Sequence, residues 1–270
     1  MNSKKLSSNK IHIIILIIGV LLIIQMFSGA VGYILNEIDN SDFSFTSKLI
    51  ALDVCFWISE IVIILILIKL WKVSFNINII DKISMRQLGL IILISLSAYF
   101  IENIVDVSNF LDKIIDKSLV LNKFNLREPI GSKTLYFTDM INTLIMAPII
   151  EEMLFRKLFF NKLKTVFTSS ISIIITSILF SAMHLNLDLF LVYFLIGVMY
   201  TYIYHLTGSL TFNILLHFFS NLMYYFFERS DVPFSNKYIF IYVCFYILCG
   251  VTLYQSLKYL KIQKIKNENG

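Results

Sequence analysis

Apolar runs of membrane-spanning length recur along this chain, and nothing else in it constrains the fold so strongly. A helix needs about 20 mainly apolar residues to cross a bilayer. Residues 11–35, 49–70, 88–107, 137–158, 168–186, 188–206, 208–227 and 236–258 all have that character. Of the 270 residues, 57% are hydrophobic and only 15% are charged, against about 25% charged in soluble domains. The expected fold is therefore all-α: a polytopic membrane helix bundle of about eight transmembrane helices. It should form a single integral membrane domain over residues 1–270, with the lipid bilayer as its solvent.

The net charge of +5 does not point to nucleic acid, because the lysines sit in short inter-helix segments and in the tail. Lys4, Lys5 and Lys10 precede the first run, and Lys69, Lys72, Lys82 and Arg86 separate the second from the third. Lys157, Lys162 and Lys164 follow the fourth, and Lys258, Lys261, Lys264 and Lys266 lie near the end. The first intervening loop instead carries Glu37, Asp39 and Asp42 against Lys48. Basic loops stay in the cytoplasm, so an even number of spans with both termini cytoplasmic satisfies every loop.

Lys4, Lys5 and Lys10 before an apolar run could suggest a secretory leader. The run from Ile11 to Phe27 exceeds the ~7–15 residues of a leader core, so it is expected to stay as a first membrane helix. Residues 109–124 interleave charges with Leu, Ile and Val and could form an interfacial amphipathic helix. Cys55, Cys244 and Cys249 lie in apolar runs and form no CxxC pair, which supports neither a disulfide framework nor a cysteine-bound zinc ion.

Against this apolar background three blocks stand out: Glu151-Glu152-Met-Leu-Phe-Arg156, Phe180-Ser-Ala-Met-His184 and His217-Phe-Phe-Ser-Asn221. Ionisable side chains in hydrocarbon cost at least a few kcal/mol and usually face a polar cavity. Glu152 and Arg156 are i and i+4 and should pair on one helix face, while Glu151 points about 100° away. One glutamate is thereby neutralised and the other is left for chemistry. Pro148, three residues earlier, should loosen the helix backbone, which a membrane tolerates only where protein or water satisfies it. Taken singly, the blocks also fit a charged helix end, an interfacial histidine and an interhelical polar pair.

Taken together they form a hydrolytic set. A glutamate and a histidine can bind and deprotonate water, while a second histidine and an asparagine donate to a developing oxyanion. Glu151, His184 and His217 could equally hold a Zn2+ ion with water as fourth ligand. Either scheme needs the fourth and fifth helices to be staggered, since Glu151 lies toward the cytoplasmic end of one predicted span and His184 toward the external end of the next. No His-Glu-x-x-His, Gly-x-Ser-x-Gly or Gly-x-Gly-Asp motif is present. Glu60 and Glu102 are the deeper of the remaining acids and are candidates for supporting or substrate-path roles. A small proton-coupled transporter is disfavoured because no inverted repeat is visible.

At these residues the chain resembles the CPBP family of CAAX proteases and bacteriocin-processing enzymes, also called Abi. The resemblance rests on Ala147-Pro148-Ile-Ile-Glu151-Glu152-Met-Leu-Phe155-Arg156, on Phe180-x-x-x-His184, and on Gly208-Ser209-Leu210 leading to His217-x-x-x-Asn221. Lys157 stands where such proteins often have glycine. The similarity covers about residues 137–225, the expected protease core. It implies an eight-helix intramembrane endopeptidase. Glu151 and His184 would activate water, His217 and Asn221 would hold the oxyanion, and Glu152, Arg156 and Phe180 would support them. The family has been described both as metallo- and as glutamate-type, so the resemblance leaves zinc open. It further implies a peptide or membrane-associated protein substrate. The abundance of Ile, Asn and Lys suggests an AT-rich bacterial genome, which favours bacteriocin or pheromone processing or self-immunity over CAAX processing. A non-catalytic immunity or partner-binding protein is the other possibility.

Overall fold

The computed structural model describes residues 3–37, 45–73, 82–104, 133–187, 189–227 and 239–269. Among them the chain forms helices and no strands. Three helices open it: α1 (Ser3–Glu37), α2 (Phe45–Trp71) and α3 (Met85–Ile104). The fourth, α4, runs continuously over 133–164 but changes its pitch on the way. Lys133–Ile141, Ala147–Glu151 and Asn161–Lys164 are α-helical, while Asn142–Met146 and Glu152–Phe160 are wide π-helical turns. Then follow α5 (Ser169–Met183), α6 (Phe190–Thr207), α7 (Leu210–Phe227) and α8 (Ile239–Asn269). The amphipathic segment expected at 109–124, and the Glu102 side chain, fall outside the described residues.

Among the described residues eight helices are thus present, but the expectation that all eight have the character of membrane spans needs correction. Four are long and apolar enough to cross: Asn9–Ile34, Ile50–Trp71, Phe190–Thr207 and Val243–Lys266. By length and composition they are consistent with a multi-pass membrane protein. The reason the others differ is physical. At 1.5 Å per residue, the 15 residues of α5 reach about 22 Å, short of the ~30 Å hydrocarbon core. In α4 the charged block itself interrupts the apolar run.

The two largest of three packed clusters organise the bundle. One joins Ile17, Leu21 and Ile24 of α1 and Ile64 and Leu67 of α2 to Leu154, Phe155 and Phe159 of α4 and Phe180 of α5. The other joins Ile91 and Ile94 of α3, Tyr200 and Ile203 of α6, Phe212 and Leu216 of α7 and Leu260 of α8. The α4 and α7 helices meet between them.

Local sequence explains the short connections. Thr168 caps α5 by accepting the Ile171 amide hydrogen. Gly208 ends α6 in a left-handed conformation (φ 66°) that glycine adopts without steric cost. The Ser209 hydroxyl then accepts from the Phe212 amide at the start of α7. At Gly197 the α5 and α6 backbones come so close that an added Cβ would lie 3.1 Å from Ser177 Cα. Small residues allow such approaches between membrane helices.

The depth mismatch between Glu151 and His184 disappears in this arrangement. The α4 helix continues past Arg156 to Lys164, so Glu151 stands 13 residues before the end of that helix, well back from the 165–168 turn. His184, at the end of short α5, lies about 22 Å from the same turn. Helices running up and down from one turn bring both residues to the same level.

Candidate active site

Glu152 is the hub. Its carboxylate is fully buried, and Arg156 Nη1 lies 3.0 Å from Oε1, as i, i+4 spacing predicts. The guanidinium makes no directed hydrogen bond among the described residues. Its planar cation rests instead on aromatic faces, 4.6 Å from the Phe180 ring centre, 5.3 Å from Tyr200 and 5.9 Å from Phe155. A buried ion pair needs further partners to offset its desolvation, and α7 supplies them. His217 Nδ1 approaches Glu152 Oε1 at 3.0 Å, and Asn213 Nδ2 donates to Oε2 at 3.2 Å.

Glu151 has a different environment on the same helix. Its side chain is 23% exposed, and His217 Nε2 lies 4.0 Å from Oε2. That separation exceeds hydrogen-bonding range. Oε2 is nevertheless buried and has no hydrogen-bond partner among the described residues. The imidazole of His217 therefore stands between the two glutamates, Nδ1 toward Glu152 and Nε2 toward Glu151.

His184 lies on the other side of Phe180. Phe180 is 4.8 Å from the His184 ring and 6.4 Å from the His217 ring, centre to centre. His184 Nδ1 is 2.8 Å from the Phe180 carbonyl, its ring stacks on Tyr193 at 3.9 Å, and the next residue, Leu185, turns the chain away with φ 50°. A carbonyl only accepts, so Nδ1 carries the hydrogen and Nε2 the lone pair. Gln25 of α1 secures this helix end by donating to the Met183 carbonyl at 2.8 Å.

Asn221 is engaged in an unexpected place, since its Nδ2 donates to the Thr143 carbonyl at 2.7 Å. In the π-helical turn the Ala147 amide bonds to the Asn142 carbonyl, five residues back. The same pattern would assign Thr143 to residue 148, but Pro148 has no N–H. Asn221 supplies the missing donor and keeps one further Nδ2 hydrogen. The looseness expected at Pro148 is thus present, and protein satisfies it. Two residues of α2 also reach this region. Trp57 Nε1 donates to Asn142 Oδ1 at 2.8 Å, and buried Glu60 is close enough to Glu151 for their carboxyl groups to repel.

The zinc donor set is not gathered. Among the described residues no three His, Cys, Asp or Glu side chains stand where they could share a metal ion. Glu151 and His217 approach one another, but His184 is held back by Tyr193 and the Phe180 carbonyl. The residues do not fit a metal in this arrangement.

Sequence reasoning missed Asn213. It lies one turn before His217 on the same face, so Asn213-x-x-x-His217-x-x-x-Asn221 is a polar stripe through an apolar helix. That spacing was the available signal.

Residues 133–223 match a family model described as Rce1-like: Type II CAAX prenyl endopeptidase Rce1-like. This stretch is a CAAX-protease-like domain. It covers about a third of the chain and holds every residue of the three blocks. No curated protein and no solved structure matches the chain. The likeness and the buried histidine–glutamate pair are consistent with an intramembrane protease fold.

Proposed function

We propose that this protein is an intramembrane endopeptidase that hydrolyses a peptide bond near the membrane surface with water activated by Glu151. The observation that carries the reading is the chain Arg156–Glu152–His217–Glu151, which ends on an acceptor with no hydrogen-bond partner among the described residues. Once Nδ1–H is directed at Glu152, His217 Nε2 and Glu151 Oε2 are two acceptors 4.0 Å apart. A molecule with two hydrogens to donate suits that gap, and water is the simplest.

In this scheme Glu151 takes one proton as the water oxygen bonds to the carbonyl carbon. His217 holds the other water hydrogen, which departs from the oxyanion role implied by resemblance; its closeness to Glu151 favours the water. The free Nδ2 hydrogen of Asn221 serves the oxyanion. The proton taken up by Glu151 then passes to the leaving amine as the C–N bond breaks, and His184, across Phe180, offers its Nε2 lone pair to that amine's N–H. Glu152 and Arg156 hold His217 in place.

The substrate is a peptide or a membrane-associated protein, and bacterial peptide maturation or self-immunity is the favoured setting. A second reading, cleavage of a prenylated C-terminal peptide, is favoured by the printed description of the matched family. The orientation with both termini cytoplasmic is supported by the basic end of the bundle. There Lys10 lies over Phe167, Lys162 over Trp71 and Lys164 over Phe160.

The test reconstitutes the full chain in nanodiscs with two internally quenched peptides, one farnesylated at a C-terminal CAAX cysteine and one apolar and unmodified. Glu151→Gln should abolish cleavage of whichever peptide is cut, with folding unchanged. Wild-type rates in a folded Glu151→Gln protein would overturn the assignment. Cleavage of the farnesylated peptide alone would select the second reading.

A further inference from the structure

Asn213 is fully buried, and its Nδ2 is placed to donate twice, to Glu152 Oε2 at 3.2 Å and to the Tyr200 carbonyl at 2.8 Å. Its Oδ1 has no partner among the described residues. The amide cannot be turned round, because Oδ1 would then face a carboxylate and a carbonyl, both of which only accept. Its position is set by two elements, the α7 backbone on which it stands and the α6 carbonyl to which it is tied.

Arg156 and His217 both approach Oε1 of Glu152; among the described residues Asn213 is the hydrogen-bond donor to Oε2. Two ligands on one oxygen leave a carboxylate free to swing about its terminal bond, whereas a third on the other oxygen fixes its plane. Fixing that plane directs Oε1 at His217 Nδ1. Ring nitrogens are distinguished by the hydrogen bond that one of them makes. Asn213 and His217 are one turn apart on α7, so the residue that orients the carboxylate shares a rigid element with the residue that reads it.

We infer that Asn213 is a positioning residue, acting through Glu152 to keep His217 in the Nδ1–H tautomer with Nε2 turned to Glu151. This deepens the hydrolase reading and rests on it for its catalytic meaning, but the tautomer itself is measurable without any substrate.

The experiment uses full-length protein in nanodiscs with isotope-labelled imidazole nitrogens, followed by solid-state NMR under conditions where His217 is neutral. The four histidines are sorted by the signal lost in His217→Gln. Wild type should show His217 protonated at Nδ1 alone, and Asn213→Ala and Asn213→Leu should show a mixture of both tautomers. A peptide probe cut by wild type should lose about ten-fold or more in kcat with Asn213→Ala, with KM changed less than about two-fold. Purely structural glue would lower thermal stability and leave the tautomer alone. Folded Asn213 variants that retain the Nδ1–H tautomer overturn the inference. So does a wild-type His217 protonated at Nε2, which needs no variant to fold. Failure of every peptide probe bears on the hydrolase reading and not on the tautomer.

Discussion

The most apolar 18-residue stretches of α1, α2 and α8 bury only 22%, 17% and 17% of their residues, whereas that of α6 buries 39%. The outer three form a shell with Ile15, Leu65 and Ile247 among many exposed apolar side chains. The inner helices α4 to α7 are shorter or polar and are held by specific contacts: an ion pair on aromatic faces, a close approach at Gly197 and an asparagine on a carbonyl. A shell residue needs only to resemble lipid. An inner residue must match a particular neighbour. The difference separates length from precision as requirements on a membrane helix.

That contrast is most exposed to test at Arg156. Arg156→Ala leaves Glu152 as a buried charge without its cation, which should cost about 3–5 kcal/mol and be read as a fall in thermal midpoint in nanodiscs. Joint replacement of Glu152 and Arg156 by Leu and Met should recover much of the stability and none of the cleavage. Next comes Gly197→Val, which wedges α6 off Ser177 and should cost about 1–3 kcal/mol by overpacking. Asn221→Ala abandons the Thr143 carbonyl, for about 1–2 kcal/mol. Adding Pro148→Ala restores a backbone donor, so a double-mutant cycle should show positive coupling of about 1 kcal/mol. No coupling would mean that Asn221 does not serve the proline gap. Smallest of all, Ile66→Val on the lipid-facing side of α2 should stay within about 0.5 kcal/mol. An effect there as large as that at Gly197 would erase the distinction between shell and core.

The shell was easily read from sequence because hydropathy reports directly on contact with lipid. The three blocks were legible too, since ions stand out in apolar runs, and the i, i+4 pairing of Glu152 with Arg156 follows from helix geometry. Several things were hidden. Eight apolar runs read as eight spans because hydropathy does not register that α5 stops at Met183. The common depth of Glu151 and His184 depends on where two helices end, which side chains encode only through Thr168 and the extension to Lys164. Asn213 and the use of Asn221 by Thr143 depend on which faces of α4, α6 and α7 meet, and periodicity within one helix carries no information about its neighbours.

The bond from Gln25 to the Met183 carbonyl has a consequence for how such a sequence is free to drift. Positions along the lipid face of α1 could exchange one aliphatic residue for another unnoticed. Position 25 cannot, because an amide there completes the helix end that carries His184, although it lies more than a hundred positions before the family-like segment begins. A lineage that changed Gln25 to leucine would keep an unblemished hydrophobic first helix and every motif residue, and would lose its hold on the histidine.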